Sequence, residues 1–150
     1  MACSSNREPG PSNGPLGGGL ACSLEGTWSR CQSSGGQSQR VTLNVIGTAL
    51  SETIEQFNSV DDCSGVDYGQ FSFNATLQLD EDGASTFVSG ATDATLTPDV
   101  DLFGCGVSQP AYTFMKFDSS CDSFQGANAM PSCDPASRGT ALDPEPFIKQ

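Results

Sequence analysis

Histidine is absent from these 150 residues, and only six Lys and Arg stand against 18 Asp and Glu. Without an imidazole, no Ser-His or Cys-His nucleophile pair can be assembled, and general acid–base work falls to carboxylates, Lys and Tyr. No Gly-x-Ser-x-Gly elbow presents a nucleophile either. The net charge of -12 repels phosphate backbones and anionic bilayers, which disfavours nucleic acid and leaves cations or basic proteins as the attracted partners. Large core formers are scarce too, with 29 Leu, Ile, Val and Phe in the whole chain, close to the composition at which burial alone fails to hold a fold. Long apolar runs of membrane-spanning length are missing. So is any run of ten or more residues with apolar spacing near 3.6, so helix is expected to be minor.

Cysteine is plentiful instead. The seven, Cys3, Cys22, Cys31, Cys63, Cys105, Cys121 and Cys133, show no CxxC spacing and have no histidine to complement them, which argues against zinc. They read as disulfides, each stabilising by roughly 2–4 kcal/mol through restriction of the unfolded chain. That places the chain outside the cytoplasm. Cys31 is expected to pair with Cys63, joining the first strand to the loop after the third. Cys121 with Cys133 and Cys22 with Cys105 follow only by elimination among 15 connectivities.

Residues 1–21 are Gly, Pro, Ser and Asn with little to bury, the composition of a disordered tether. Residues 22–150 carry the strand signals of one domain. Leu24 to Cys31 reads as the first strand. Val41, Leu43 and Val45 alternate with Thr42 and Asn44, and Gly47-Thr48 turns the chain into a second arm, 50–57, in which Leu50 and Ile54 share a face with the polar Glu52. The clearest strand is 68–79, where Phe71, Phe73, Ala75, Leu77 and Leu79 face one way and Ser72, Asn74, Thr76 and Gln78 the other. One dry and one wet face suit an antiparallel sheet or barrel rather than a parallel α/β sheet. Shorter strands are expected over 84–90, 91–97, 112–117 and 147–150, with a short one inside 99–110. Residues 119–139 are expected to form a long loop stapled by a bridge. The fold class is therefore all-β: a single small antiparallel up-and-down barrel of about eight strands.

Gly26-Thr27-Trp28 in the first strand, a nearby cysteine, a second cysteine about 30 residues on and the closing Phe147-x-Lys149-Gln150 together resemble lipocalin-like small β-barrels of bacterial envelopes. The start, Ala2-Cys3-Ser4-Ser5, resembles the mature end of a bacterial lipoprotein, in which the cysteine carries the lipid. The resemblance implies lipidation at Cys3, an outer-membrane or cell-surface location, and membrane attachment only through that lipid. It implies that Trp28 closes one end of the barrel under a basic side chain, Lys149 or Arg138. The alternating strand 68–79 and the nine Phe support a binding module for a small apolar ligand, with Phe71, Phe73 and Leu77 as ligand-facing candidates.

No catalytic residues and no cofactor are expected. The alternative reading is an acidic interaction protein, such as an inhibitor of a basic, lysozyme-type hydrolase, steered to its partner by charge. The carboxylate clusters Asp61-Asp62, Asp80-Glu81-Asp82 and Asp99-x-Asp101 read as solvated turns, with Asp99 and Asp101 the pair to watch for Ca²⁺. Any functional surface is expected among these turns, at the end opposite Trp28. Asn74-Ala75-Thr76 matches a glycosylation acceptor and reads as chance.

Overall fold

The computed structural model describes residues 22–58, 62–65, 67–80, 85 and 87–150. The expected tether, with Cys3, lies outside these residues, as do Asp61, Glu81, Asp82 and Ala84. Eight strands form among them: β1 (Gly26–Ser34), β2 (Gln37–Ile46), β3 (Ala49–Phe57), β4 (Asp67–Leu79), β5 (Thr92–Pro98), β6 (Ala111–Phe117), β7 (Ser123–Gly126) and β8 (Phe147–Lys149). Each pairs antiparallel with its sequence neighbours, and β8 returns to β1 through Trp28↔Lys149 and Ser29↔Ile148, closing the barrel. The fold is all-β, and no helix occurs among the described residues.

The two-residue period of each strand, carried through the registers, defines the inside. Trp28 sits opposite Leu43, Leu43 opposite Glu52, and Glu52 opposite Phe73. Leu77 then faces Leu96, Leu96 faces Ala111, Phe117 faces Phe124, and Phe124 faces Phe147. One apolar cluster follows, containing Leu24, Trp28, Val45, Leu50, Phe73, Leu77, Met115, Phe117, Phe124 and Phe147.

Trp28 is fully buried at one end of it. Its Nε1–H donates to the Leu24 carbonyl at 2.7 Å, which satisfies the polar tip of the ring. Phe117 and Phe124 meet it edge-on, with centroids at 5.8 and 5.1 Å. Lys149 is the basic side chain over the indole, with Nζ 5.4 Å from the ring centroid. Gly26 lies on the same inner face with φ +124°, and a Cβ there would sit 3.4 Å from Lys149 Cε. The glycine two residues before the tryptophan thus supplies a backbone conformation that L-residues rarely adopt, beside the lysine stem.

Arg138, the other candidate for Trp28, lies elsewhere. It packs outside the barrel, where Nη1 contacts Asp93 Oδ2 at 3.3 Å and Cζ stands 5.2 Å from the Tyr112 ring centroid and 5.9 Å from that of Phe87. Phe87 in turn stacks on Phe114, an outward-facing residue buried completely by these loops. A second outer patch is built by the segment 62–65. Cys63 is bonded to Cys31, its N–H donates to Ser38 Oγ, and its carbonyl accepts from Arg40 at 2.9 Å.

Three expectations change. The described part of 84–90 is a turn, closed by Ala91 N–H donating to the Val88 carbonyl, because Ser89-Gly90 favours a reversal with Gly90 at φ +78°. Residues 99–110 hold no strand; Gly104 and Gly106, both at positive φ, break the extended run. The expected loop 119–139 contains β7, which completes the wall between β6 and β8.

The disulfides are Cys31–Cys63, as expected, with Cys22–Cys121 and Cys105–Cys133 in place of Cys22–Cys105 and Cys121–Cys133. Up-and-down topology explains the exchange. Cys22 precedes β1 and Cys121 lies in the β6–β7 connection, both at the Trp28 end. Cys105 lies in the β5–β6 connection at the opposite end, where the Tyr112↔Ser132 bridge also brings Cys133. Three disulfides fit an oxidising, extracytoplasmic compartment.

Candidate functional site

Beyond Trp28 the inner faces of the strands leave a half-open space. This cavity of about 370 Å³ occupies the barrel interior, at the lower end of the range typical of small-molecule sites. Its apolar wall comes from Leu43 and Val45 on β2, Leu50 on β3, Leu77 on β4, Leu96 on β5, Met115 on β6, Phe124 on β7 and Phe147 on β8. Short pairing creates its way out. β6 and β7 share only the register from Met115↔Gly126 to Phe117↔Phe124, so past Gly126 the wall is made by 127–131 and by the Ala127↔Leu142 bridge. Phe103 and Met130 line the cavity there, and Met130 is 69% exposed, so the cavity reaches the surface beside it.

Two charged side chains project inward with these residues. Arg30 follows Trp28 by one strand period on β1, and Glu52 follows Leu50 on β3. Arg30 is engaged: Nη1 donates to Asp143 Oδ2 at 2.9 Å and to the Glu145 carbonyl at 3.3 Å, and Cζ lies 4.5 Å from the Phe147 ring centroid. Its Nε is buried without a protein partner. Asp143 is in turn fully used, because Oδ1 accepts the Glu145 N–H at 2.9 Å while Oδ2 takes Arg30.

Glu52 is in a different situation. Its carboxylate takes part in none of the side-chain hydrogen bonds or ion pairs given by the described residues. In register it is flanked by Leu43 and Phe73. Burial pushes its carboxyl up from 4.5 to about 7, against the weaker opposing pull of Arg30.

Of the sequence-predicted ligand-facing residues, Leu77 lines the cavity. Phe73 points inward and is buried in the core without forming the cavity wall, while Phe71, on the same face, is 47% exposed with its ring 6.0 Å from that of Phe73. Phe71 and Phe73 sit towards the start of β4, away from the space enclosed by its C-terminal half. Phenylalanines that do line the cavity from the inner face are Phe103, Phe124 and Phe147.

The acidic turns are used by the backbone. Asp99 Oδ1 accepts the Asn74 N–H, Asp101 Oδ1 accepts the Gly106 N–H, and Asp62 Oδ1 accepts the Ser64 N–H. Asp80 follows β4 and so lies at the Trp28 end. Among the described residues no group of three or more His, Cys, Asp or Glu is placed to hold a metal ion.

Fold and interior together define the class: a small disulfide-bonded β-barrel with an accessible, mostly apolar internal cavity. The chain matches no family model, and neither curated proteins nor solved structures give a significant match.

Proposed function

We propose that this protein is a binding module of the bacterial envelope, lipocalin-like in its use of the barrel, that holds a small and largely apolar molecule inside and is tethered by a lipid on Cys3. The observation that carries the reading is the unfilled interior. Because the cavity reaches the surface, its apolar walls stand against water, and an apolar ligand that fills the space removes that surface from water and gains dispersion contacts. The wall offers apolar side chains from seven strands, and Arg30 and Glu52 supply the few polar groups that fix orientation in such sites.

The test uses Trp28, the single tryptophan, whose ring meets the cavity-lining Phe124 at 5.1 Å. Titration with a neutral apolar probe such as 1-octanol is expected to change Trp28 fluorescence saturably at one site per chain. Thr113→Phe, which places a ring in the cavity from β6, is expected to weaken binding at least tenfold. A folded wild-type protein that shows no saturable response to any neutral apolar probe would overturn the proposal.

A further inference from the structure

We propose that the molecule taken by the barrel carries a single protonated amine on an apolar body, and that Glu52 holds the amine; this rests on the reading of the interior as a ligand site. Among the described residues, the charges on the cavity wall are Glu52, Arg30 and Asp143. Arg30 and Asp143 form their own pair at 2.9 Å, further fixed by the Glu145 carbonyl and backbone N–H. With Glu52 ionised, the wall therefore carries one uncompensated negative charge. A monocation brings the sum to zero, a neutral ligand leaves Glu52 unpaired, and an anion adds a second negative charge in a poorly solvated space.

The position of Glu52 within the barrel fits this role. It stands on the inner face of β3 two residues from the cavity-lining Leu50, with apolar Leu43 and Phe73 on the paired strands. An amine at Glu52 thus leaves its hydrocarbon body in contact with Leu50, Leu77 and Leu96. Burial raises the carboxyl of Glu52 against a weaker pull from Arg30, and a bound ammonium would draw it back towards the ordinary range. Outside the cavity, the net charge of -12 concentrates small cations near the protein and lowers the local level of anions. Arg30 remains the competing feature, because its Nε is an unpartnered donor. An acidic ligand would use that donor, and a carboxylate probe tests for it directly.

The experiment compares three eight-carbon ligands on the full chain at pH 8 and low salt: octylamine, 1-octanol and octanoate, each followed by Trp28 fluorescence and by calorimetry. Octylamine is expected to bind at least tenfold tighter than octanol, with octanoate weakest. The amine preference is expected to shrink as the pH falls from 8 to 5.5, since Glu52, facing Arg30 and Asp143 across the cavity wall, takes up a proton. Glu52→Gln, checked for folding by circular dichroism, is expected to bring the octylamine-to-octanol affinity ratio close to one. Octanol binding without an amine preference, or a preference that survives Glu52→Gln, would overturn the amine assignment and leave the cavity reading standing. Tightest binding of octanoate would reassign the polar anchor to Arg30. If none of the three binds, the cavity reading falls and the amine assignment falls with it.

Discussion

Replacing Glu52 by Gln removes the charge that, among the described residues lining the cavity, has no ion pair, and its effect on stability depends on pH in a direction fixed by the structure. The Glu52 carboxyl is raised from 4.5 to about 7 in the folded protein. Between those values the folded state binds more protons at this site than the unfolded state, so stability falls as pH rises through the window. Below pH 4.5 both states are protonated at this position and the site contributes no pH dependence. Above about pH 7 the folded state carries a desolvated carboxylate that the unfolded chain leaves in water. At about 1.4 kcal/mol per pKa unit, the full penalty is about 3 kcal/mol. Gln keeps the shape without the charge. Glu52→Gln is therefore expected to be close to neutral at pH 4.5 and to stabilise the ligand-free protein by about 2–3 kcal/mol at pH 8.5. Urea unfolding of wild type and variant across this range measures it, and taking the difference cancels the titration of the other 17 carboxylates. Parallel stability curves, or a variant less stable at pH 8.5, would refute the assignment of Glu52 as a buried, uncompensated acid.

The remaining predictions concern the framework. Arg138→Ala strands Asp93, of which only 9% is exposed, and removes the contacts to Phe87 and Tyr112; a loss of about 3 kcal/mol is expected in urea unfolding. A loss below about 1 kcal/mol would mean that the pair is screened like a surface ion pair. Cys22–Cys121 closes a separation of 99 residues and Cys105–Cys133 one of 28. Removing both cysteines of the first bridge is expected to cost about 4.7 kcal/mol, against about 3.6 for the second, by chain entropy alone. Peptide mapping of the unreduced protein checks the pairing itself, and a Cys121–Cys133 peptide would contradict the barrel's strand count.

The strand pattern was readable wherever one face of a strand packs against the core and the other meets water. β2 and β4 show that alternation, β3 shows it more weakly because the polar Glu52 shares a face with Leu50 and Ile54, and Gly47-Thr48 marks the turn between β2 and β3. β7 was not readable, because its four residues SFQG contain a single apolar side chain and gain strand geometry only from pairing with β6 and β8. The Thr-rich run before Gly90 failed in the opposite sense. It has strand composition, but its described residues turn and pack on the outer face of Phe114. The two pairings assigned by elimination alone, Cys121–Cys133 and Cys22–Cys105, are the two that differ, because the end of the barrel at which each connection lies follows from the strand order and not from cysteine spacing.

The site left a trace in the sequence that its chemistry makes plain only in three dimensions. Glu52 sits between Leu50 and Ile54 on the face that alternation assigns to the interior, and Arg30 falls two residues after Trp28. A charge on a dry face is a signal for function or for a buried pair, and the linear pattern does not tell these apart. The distinction comes from Asp143, more than 100 residues after Arg30, which occupies the arginine and leaves the glutamate alone. Phe71 and Phe73 stood out as ligand-facing because they lie on the strand with the clearest alternation, yet the empty space lies further along that strand, beside Leu77.

A crystal structure of the protein grown with octylamine is expected to show ligand density inside the barrel against Leu50, Leu77 and Leu96, with the nitrogen within hydrogen-bond distance of the Glu52 carboxylate and the Arg30–Asp143 pair intact. An interior closed up by its own side chains, with Glu52 bonded to Arg30 and no room for a ligand, would contradict the binding of an amine at Glu52.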